Sequence, residues 1–237
     1  MYNRVNPKGK IFWRCFKMAL LSEKDREYLE DLFSKELDNK VKLIFFGDSK
    51  DNCEYCDLEE QILDEVRELS DKIVVEKYNV NEHKDLAEKF QVEMTPALIL
   101  TLEDGEDKGV RFYGIPSGHE FGTLVQDIVT FGKGANPELS PETIEKLKKI
   151  DKPVKISVFV TPTCPYCPRA VLTAHNFALV NPLIKAEMIE ANEFFELSNE
   201  FGVSSVPHIV INRNPNTFFI GAYPEAQYLE EVLKAIK

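Results

Sequence analysis

The sequence predicts an α/β protein made of two similar units, each a mixed β-sheet flanked by helices. Three observations lead there. The chain has 237 residues, more than one compact domain usually holds and enough for two. A set of landmarks recurs at a constant spacing of 111 residues. Within each copy, short apolar strand patterns alternate with helical ones, which gives parallel strands joined by helical crossovers.

The repeat is anchored on Cys53-Glu54-Tyr55-Cys56, which returns as Cys164-Pro165-Tyr166-Cys167. The same step carries Asn81-Glu82 to Asn192-Glu193, Leu86 to Leu197, Phe90-Gln91-Val92 to Phe201-Gly202-Val203, and Thr95-Pro96 to Val206-Pro207. A proline therefore stands 40 residues after the second cysteine in both copies.

In chain order, Leu21-Ser22 and Leu139-Ser140 each open a helical pattern with serine as the N-cap. Leu29, Leu32, Phe33 and Leu37 then mark one apolar helix face. The run Val41–Phe46 matches Val154–Phe159, with two extra residues before the first CxxC. Ile73-Val74-Val75 begins the next strand of the first copy. In the second copy the strands are expected at Val154–Val160, Ile184–Ile189, His208–Ile211 and Phe218–Ile220. Gly114 and Gly221 hold similar places late in each copy, and the insertion Asp104-Gly105-Glu106-Asp107 suits a turn. Each copy thus reads helix, strand, helix, strand, helix, strand, strand, helix. The expected divisions are an extension over 1–17, a first unit over 18–134 and a second over 139–237, with a linker at 133–138.

The first seventeen residues differ from the rest. Arg4, Lys8, Lys10, Arg14 and Lys17 are basic and no acid interrupts them. Ile11-Phe12-Trp13 is too short for the apolar core of a secretory signal, about 7–15 residues, so export is not expected. The segment is read as an extension or as lying before a true start at Met18, with a docked N-terminal strand as the alternative. The odd cysteine, Cys15, lies here.

Composition narrows the partners. With 29 basic and 40 acidic residues the formal net charge is −11, which opposes binding to nucleic-acid backbone or an anionic membrane. No apolar run approaches the roughly 20 residues of a membrane-spanning helix. A protein of the cytoplasm, binding neither nucleic acid nor membrane, is expected.

Each CxxC falls where a strand ends and a helix begins. Unpaired N–H groups and a partial positive charge at a helix start stabilise a thiolate. Cys53 and Cys164 are therefore the candidate nucleophiles, and Cys56 and Cys167, within one helical turn, the candidate resolving thiols. A four-cysteine zinc site is the first alternative, but 107 residues separate the pairs where zinc ribbons use about 15–20. Inert structural disulfides are the second, and a non-catalytic peptide-binding module the third. His83, His119, His175 and His208 lack metal-ligand spacing, and no metal is expected. The pairs Phe45-Phe46, Phe194-Phe195 and Phe218-Phe219 are read as core.

These motifs resemble the thioredoxin superfamily, in the form of the two-unit protein disulfide oxidoreductases of hyperthermophilic prokaryotes, over residues 18–237. The resemblance implies tandem thioredoxin folds in which the late proline is cis and faces the CxxC. It also implies that Thr95, Pro96, Val206 and Pro207 meet the substrate peptide, bordered by Tyr55, Pro165 and Tyr166. Cys-Pro-Tyr-Cys is similar to the glutaredoxin signature, which leaves a glutathione-dependent reductase as the nearest rival. No organic cofactor is implied, and the expected partners are proteins bearing disulfides or thiols and an NADPH-dependent thioredoxin reductase as electron donor. Two departures stand out. The strand acid that many thioredoxins carry six residues before the first cysteine is here Gly47 and Val158, and Pro168 is expected to disturb the start of its helix.

The two motifs also differ in charge. Asp48, Asp51, Glu54, Asp57, Glu59 and Glu60 surround the first, offset by Lys50, whereas Arg169 is the sole formal charge from Phe159 to Ala174. Negative neighbours oppose thiolate formation and a positive one favours it. Cys164 is therefore expected to be the more acidic nucleophile and its disulfide the more oxidising.

Overall fold

The computed structural model describes residues 19–49 and 52–237; the expectations for residues 1–17 and Met18, and the charges of Lys50 and Asp51, lie outside the described residues. The first half runs α1 (Glu23–Glu36), β1 (Val41–Gly47), α2 (Cys56–Glu68), β2 (Ile73–Asn79), α3 (Lys84–Lys89), β3 (Ala97–Leu102), β4 (Asp107–Tyr113) and α4 (His119–Gly132). The second repeats the order with α5 (Pro141–Leu147), β5 (Val154–Val160), α6 (Cys167–Val180), β6 (Ile184–Glu190), α7 (Phe195–Glu200), β7 (His208–Ile211), β8 (Phe218–Ile220) and α8 (Glu225–Ala235).

Local chemistry sets the helix starts. The Ser22 hydroxyl accepts the Asp25 N–H at 3.2 Å, and that of Ser140 accepts the Thr143 N–H at 3.3 Å. Pro141 occupies the first turn of α5, where its missing N–H costs nothing. Pro168 does the same in α6, which runs unbroken. The irregularity expected there is absent, because a first-turn N–H has no helical partner to lose.

The two halves share one eight-stranded mixed sheet, ordered β2-β1-β3-β4-β6-β5-β7-β8. They join where β4 pairs parallel with β6, from Val110 opposite Ala186 to Tyr113 opposite Ile189. The period-2 alternation of strands divides their side chains between two faces. Leu43, Phe45, Phe112 and Val158 face the larger core with Leu29, Leu63, Leu124, Val171 and Val232 of the long helices. Ile44, Phe46, Phe159 and Ile189 face the smaller core beneath α3 and α7, with Phe90 and Phe201. Of the aromatic pairs read as core, Phe195 and Phe218 are exposed: Phe195 opens the short α7, and Phe218 lies on the three-residue edge strand β8.

Contacts beyond the β4–β6 ladder tie the halves together. On the larger-core side α4 packs on α6, and Asp127 meets His175 Nδ1 at 2.6 Å with both side chains buried. At the far end of the sheet Glu93 pairs with Lys155 and Arg213, and Arg213 Nε donates to Glu187 at 2.7 Å. Among the described residues no helix is long and apolar enough to cross a membrane.

Strand directions place the chemistry. β1 is antiparallel to β3 and β3 to β4, while β4, β6 and β5 run parallel. β1 and β5 therefore point the same way, and both CxxC motifs emerge at one end of the sheet. Four strand steps separate them, about 19 Å at the usual strand spacing.

Candidate functional site

Cys53 and Cys56 are disulfide-bonded to each other, and so are Cys164 and Cys167. Tyr55 and Tyr166 are the N-cap residues of α2 and α6, so the second cysteine of each pair opens its helix and the first lies just ahead of it. A sulfur released at Cys53 or Cys164 would face the free N–H groups of a helix of 13 or 14 residues. In the second motif the Cys167 N–H already donates to Cys164 Sγ at 3.1 Å. Cys167 is fully buried and Cys164 slightly exposed, an order that suits attack by the first sulfur and resolution by the second. In the first motif Cys53 and Cys56 are buried to the same degree.

The Thr95–Pro96 and Val206–Pro207 peptide bonds are cis. Phe46 lies opposite Ala97, which sets Pro96 beside the end of β1, and Phe159 lies opposite His208, which sets Pro207 beside the end of β5. Thr95 and Pro96 line one cleft with Cys53 and Tyr55. Pro165 and Tyr166 stand exposed at the second motif, Tyr166 by 71%.

That cleft, of about 730 Å³, is closed on its far side by the second half of the chain. Pro162 and the segment Glu190–Phe194 supply the wall opposite Cys53, Glu54 and Tyr55. The wall has fixed geometry: Glu193 Oε1 accepts the Ile115 N–H at 2.7 Å, and Glu190 Oε2 accepts the Glu193 N–H at 2.6 Å. At the second motif the roles are exchanged. The His119 N–H at the start of α4 donates to the Pro162 carbonyl at 3.0 Å, so the first half abuts the loop that leads to Cys164.

Buried acids lie at the first site and on the first turn of α4. Glu59 is wholly buried on α2, one turn after Cys56, and neither carboxyl oxygen has a partner. Burial, then repulsion from Glu193, pushes its pKa well above the usual carboxylate range. Glu193 is itself pushed up to about 7 by burial, against the Ile115 hydrogen bond and with the charges of Glu190 and Glu54. Glu120, on the first turn of α4, is also pushed up to about 7, chiefly by burial. A Cβ at Gly47 would lie 3.2 Å from Cys56 Sγ, so this position, empty of a side chain, directly abuts that sulfur.

Sequence reasoning finds the cysteines, the two proline loops and Glu59 as an acid near the first motif, but misses the burial of Glu59 and the placement of Glu190 and Glu193 at that site. Glu59 leaves a signal, an acid three residues after Cys56 on the face that carries Ile62 and Leu63. Glu190 and Glu193 leave none, because only the β4–β6 pairing brings them to the first motif. Among the described residues no group of three or more His, Cys, Asp or Glu side chains is arranged to hold a metal ion. The four cysteines form two separate pairs rather than one cluster.

Comparison with known proteins agrees with this architecture. A thioredoxin-like domain model matches residues 31–128 and a thioredoxin domain model residues 154–234. The alkyl hydroperoxide reductase AhpF of Staphylococcus aureus is 32% identical over 149 residues, covering 63% of this chain and 28% of that protein. The chain thus spans less than a third of the curated relatives it matches. A structure of AhpF from Enterococcus faecalis superposes with a TM-score of 0.81 at 30% identity, covering 90% of this chain and 99% of that one. The protein disulfide oxidoreductase of Aeropyrum pernix superposes with a TM-score of 0.80 at 32% identity, covering 89% and 91%. Two disulfide-bonded CxxC motifs on two repeats of one fold, matched throughout by relatives of this identity, place the chain in the thioredoxin family as a tandem of two thioredoxin-like domains.

Proposed function

We propose that the chain is a thiol–disulfide oxidoreductase acting on protein disulfides, with two redox sites, Cys53/Cys56 and Cys164/Cys167. The observation that carries this reading is the disulfide-bonded pair at a helix start beside a cis X–Pro segment, present in both halves. In the reducing direction the thiolate of Cys53 or Cys164 attacks a substrate disulfide, forming a mixed disulfide and releasing one substrate thiolate. The thiolate of Cys56 or Cys167 then attacks its neighbour's sulfur, closing the protein disulfide and releasing the second substrate sulfur. One substrate disulfide becomes two thiols, and one protein dithiol becomes a disulfide. Oxidation of a substrate dithiol is the reverse.

Thr95 with Pro96 and Val206 with Pro207 are the segments on which the substrate backbone would lie, with Tyr55, Pro165 and Tyr166 at its edges. Electrons pass through the cysteines themselves, so no organic cofactor or metal enters the scheme. An NADPH-dependent thioredoxin reductase is the proposed donor and the cytoplasm the proposed compartment. The test is insulin disulfide reduction. Turnover coupled to NADPH and thioredoxin reductase supports the reading; turnover only with glutathione and glutathione reductase supports the glutaredoxin-type alternative. Turnover with neither overturns both.

The likeness to the alkyl hydroperoxide reductase AhpF favours one more specific reading, a dithiol relay to a hydroperoxide-reducing partner. Cys56→Ser and Cys167→Ser variants would hold that partner as a mixed disulfide.

A further inference from the structure

We propose that the first site is selective for cationic substrate segments. Its cleft, walled by Glu54 from the first half and by Glu190 and Glu193 from the second, receives the basic stretch of polypeptide beside a substrate disulfide, so that the two sites divide substrates by charge. This rests on the reading of the chain as a thiol–disulfide oxidoreductase.

Among the described residues the charge in the cleft is uncompensated. None of the described residues that line it is Lys, Arg or His. Among the described residues Glu54, Glu190 and Glu193 make no ion pair, whereas Glu93 and Glu187, at the other end of the sheet, are both held by Arg213. The acids are also positioned. Glu190 receives the Glu193 N–H at 2.6 Å and the Asn192 Nδ2 at 2.8 Å, which fixes its carboxyl beside Glu193 at the cleft wall. Glu193 is fixed in turn by the Ile115 N–H.

A second observation concerns a buried carboxyl on α2. Glu59 is wholly buried, both of its oxygens are without a partner, and the charge that acts on it is that of Glu193. Burial and like charges push Glu193 up to about 7. A cation entering the cleft would relieve that crowding and favour the ionised form of Glu193, a gain that a neutral or anionic segment would not bring.

The second site has the opposite setting. Arg169 is the sole formal charge from Phe159 to Ala174, and it is exposed with no ion pair among the described residues. Its neighbours at the motif, Pro165 and Tyr166, are uncharged and exposed.

The experiment uses the full chain in two forms, Cys164→Ser/Cys167→Ser with the first site alone and Cys53→Ser/Cys56→Ser with the second alone. Each is reduced, freed of reductant and mixed in single turnover with cystamine, a dication, or with oxidised glutathione, an anion. Within one variant the same thiolate attacks both disulfides, so its acidity cancels from the ratio of rate constants. Between variants the intrinsic reactivity of the two disulfides cancels as well.

The cystamine-to-glutathione ratio is expected to be about tenfold higher at the first site at low ionic strength. That excess should collapse near 1 M salt, where the screening length falls to about 3 Å. Glu54→Gln/Glu193→Gln should bring the ratio down toward that of the second site. The salt series leaves the acids intact and stands even if the glutamine variant fails to fold. Equal ratios at the two sites, or an excess that salt leaves untouched, would overturn the inference. Failure of both disulfides to react at either site would instead overturn the functional reading beneath it.

Discussion

Glu54 lies within the first CxxC and Glu59 three residues after it, and the corresponding positions at the second, 111 residues on, are Pro165 and Ala170. Backbone geometry is nearly the same at both: a disulfide at the start of a long helix, opposite a cis X–Pro segment. What differs is the side chains and the wall that each half lends to the other. The first site receives Glu190–Phe194 across its cleft, and the second receives the first turn of α4 through the His119–Pro162 hydrogen bond. The first loan includes a carboxyl pushed up to about 7, that of Glu193, and Glu120 on the first turn of α4 is pushed up to about 7 as well. Duplication therefore copied the redox scaffold, while the junction between the copies made the two environments unlike.

The largest effect expected from this junction is on stability. Glu120 is buried and its folded pKa, about 7, lies above the unfolded value of 4.5. The neutral carboxyl is favoured by the fold, so its contribution is full below pH 4.5 and is lost as pH rises through 7. The loss amounts to about 3 kcal/mol at most. Glu120→Gln keeps the shape and removes the titration. Denaturant unfolding at pH 5 and pH 8 should show the unsubstituted protein losing stability relative to the variant. Glu193→Gln should show the same sign and a smaller size, since Glu193 is more exposed. Parallel pH dependence in Glu120→Gln and the parent would mean that this carboxyl is not held neutral at the junction.

How far the molecule is legible in its sequence depends on the range of the forces involved. The N-caps Ser22 and Ser140, the alternation in Val41–Phe46 and the strands of the second half are set within a few residues, and the sequence locates them almost to the residue. The second strand of that half runs one residue further than expected, to Glu190, and that residue reaches the first site. The cleft wall is invisible in the sequence because it depends on β4 pairing with β6, a contact between residues some 76 apart in the chain at Val110 and Ala186. Pro168 misleads for a local reason, since a proline in the first helical turn removes a donor that had no partner. Phe195 and Phe218 mislead because an apolar side chain at an edge strand or a short helix start has no second layer to cover it.

A smaller effect separates the two nucleophiles in turnover. Because the charges near the motifs oppose a thiolate at Cys53 and favour one at Cys164, the second site should carry most of the flux through protein disulfides. In insulin reduction at pH 7, Cys164→Ser should lower the initial rate about fivefold, and Cys53→Ser should leave more than half of it. Equal losses would show that the acidic surroundings of Cys53 do not slow it. A larger loss for Cys53→Ser would reverse the ranking of the sites.

The finest distinction concerns acidity itself. Six acids and Lys50 lie near the first motif in the sequence, and Asp48, Glu54, Asp57, Glu59 and Glu60 fall among the described residues, with Glu190 and Glu193 added from the second half. Burial pushes Glu59 toward its neutral form and so weakens its field, which leaves the other acids as the main opposition to a thiolate at Cys53. Cys164 has Arg169 and the Cys167 N–H to stabilise its anion. Iodoacetamide alkylation of the reduced single-site variants should therefore rise at lower pH for Cys164 than for Cys53. The rate at pH 7 should differ by about threefold, since solvent screens the exposed charges. Raising the salt should draw the two profiles together from the Cys53 side more than from the Cys164 side, because the first site has more acidic neighbours. Coincident profiles at low salt would place the difference between the sites in substrate access rather than in the thiolates.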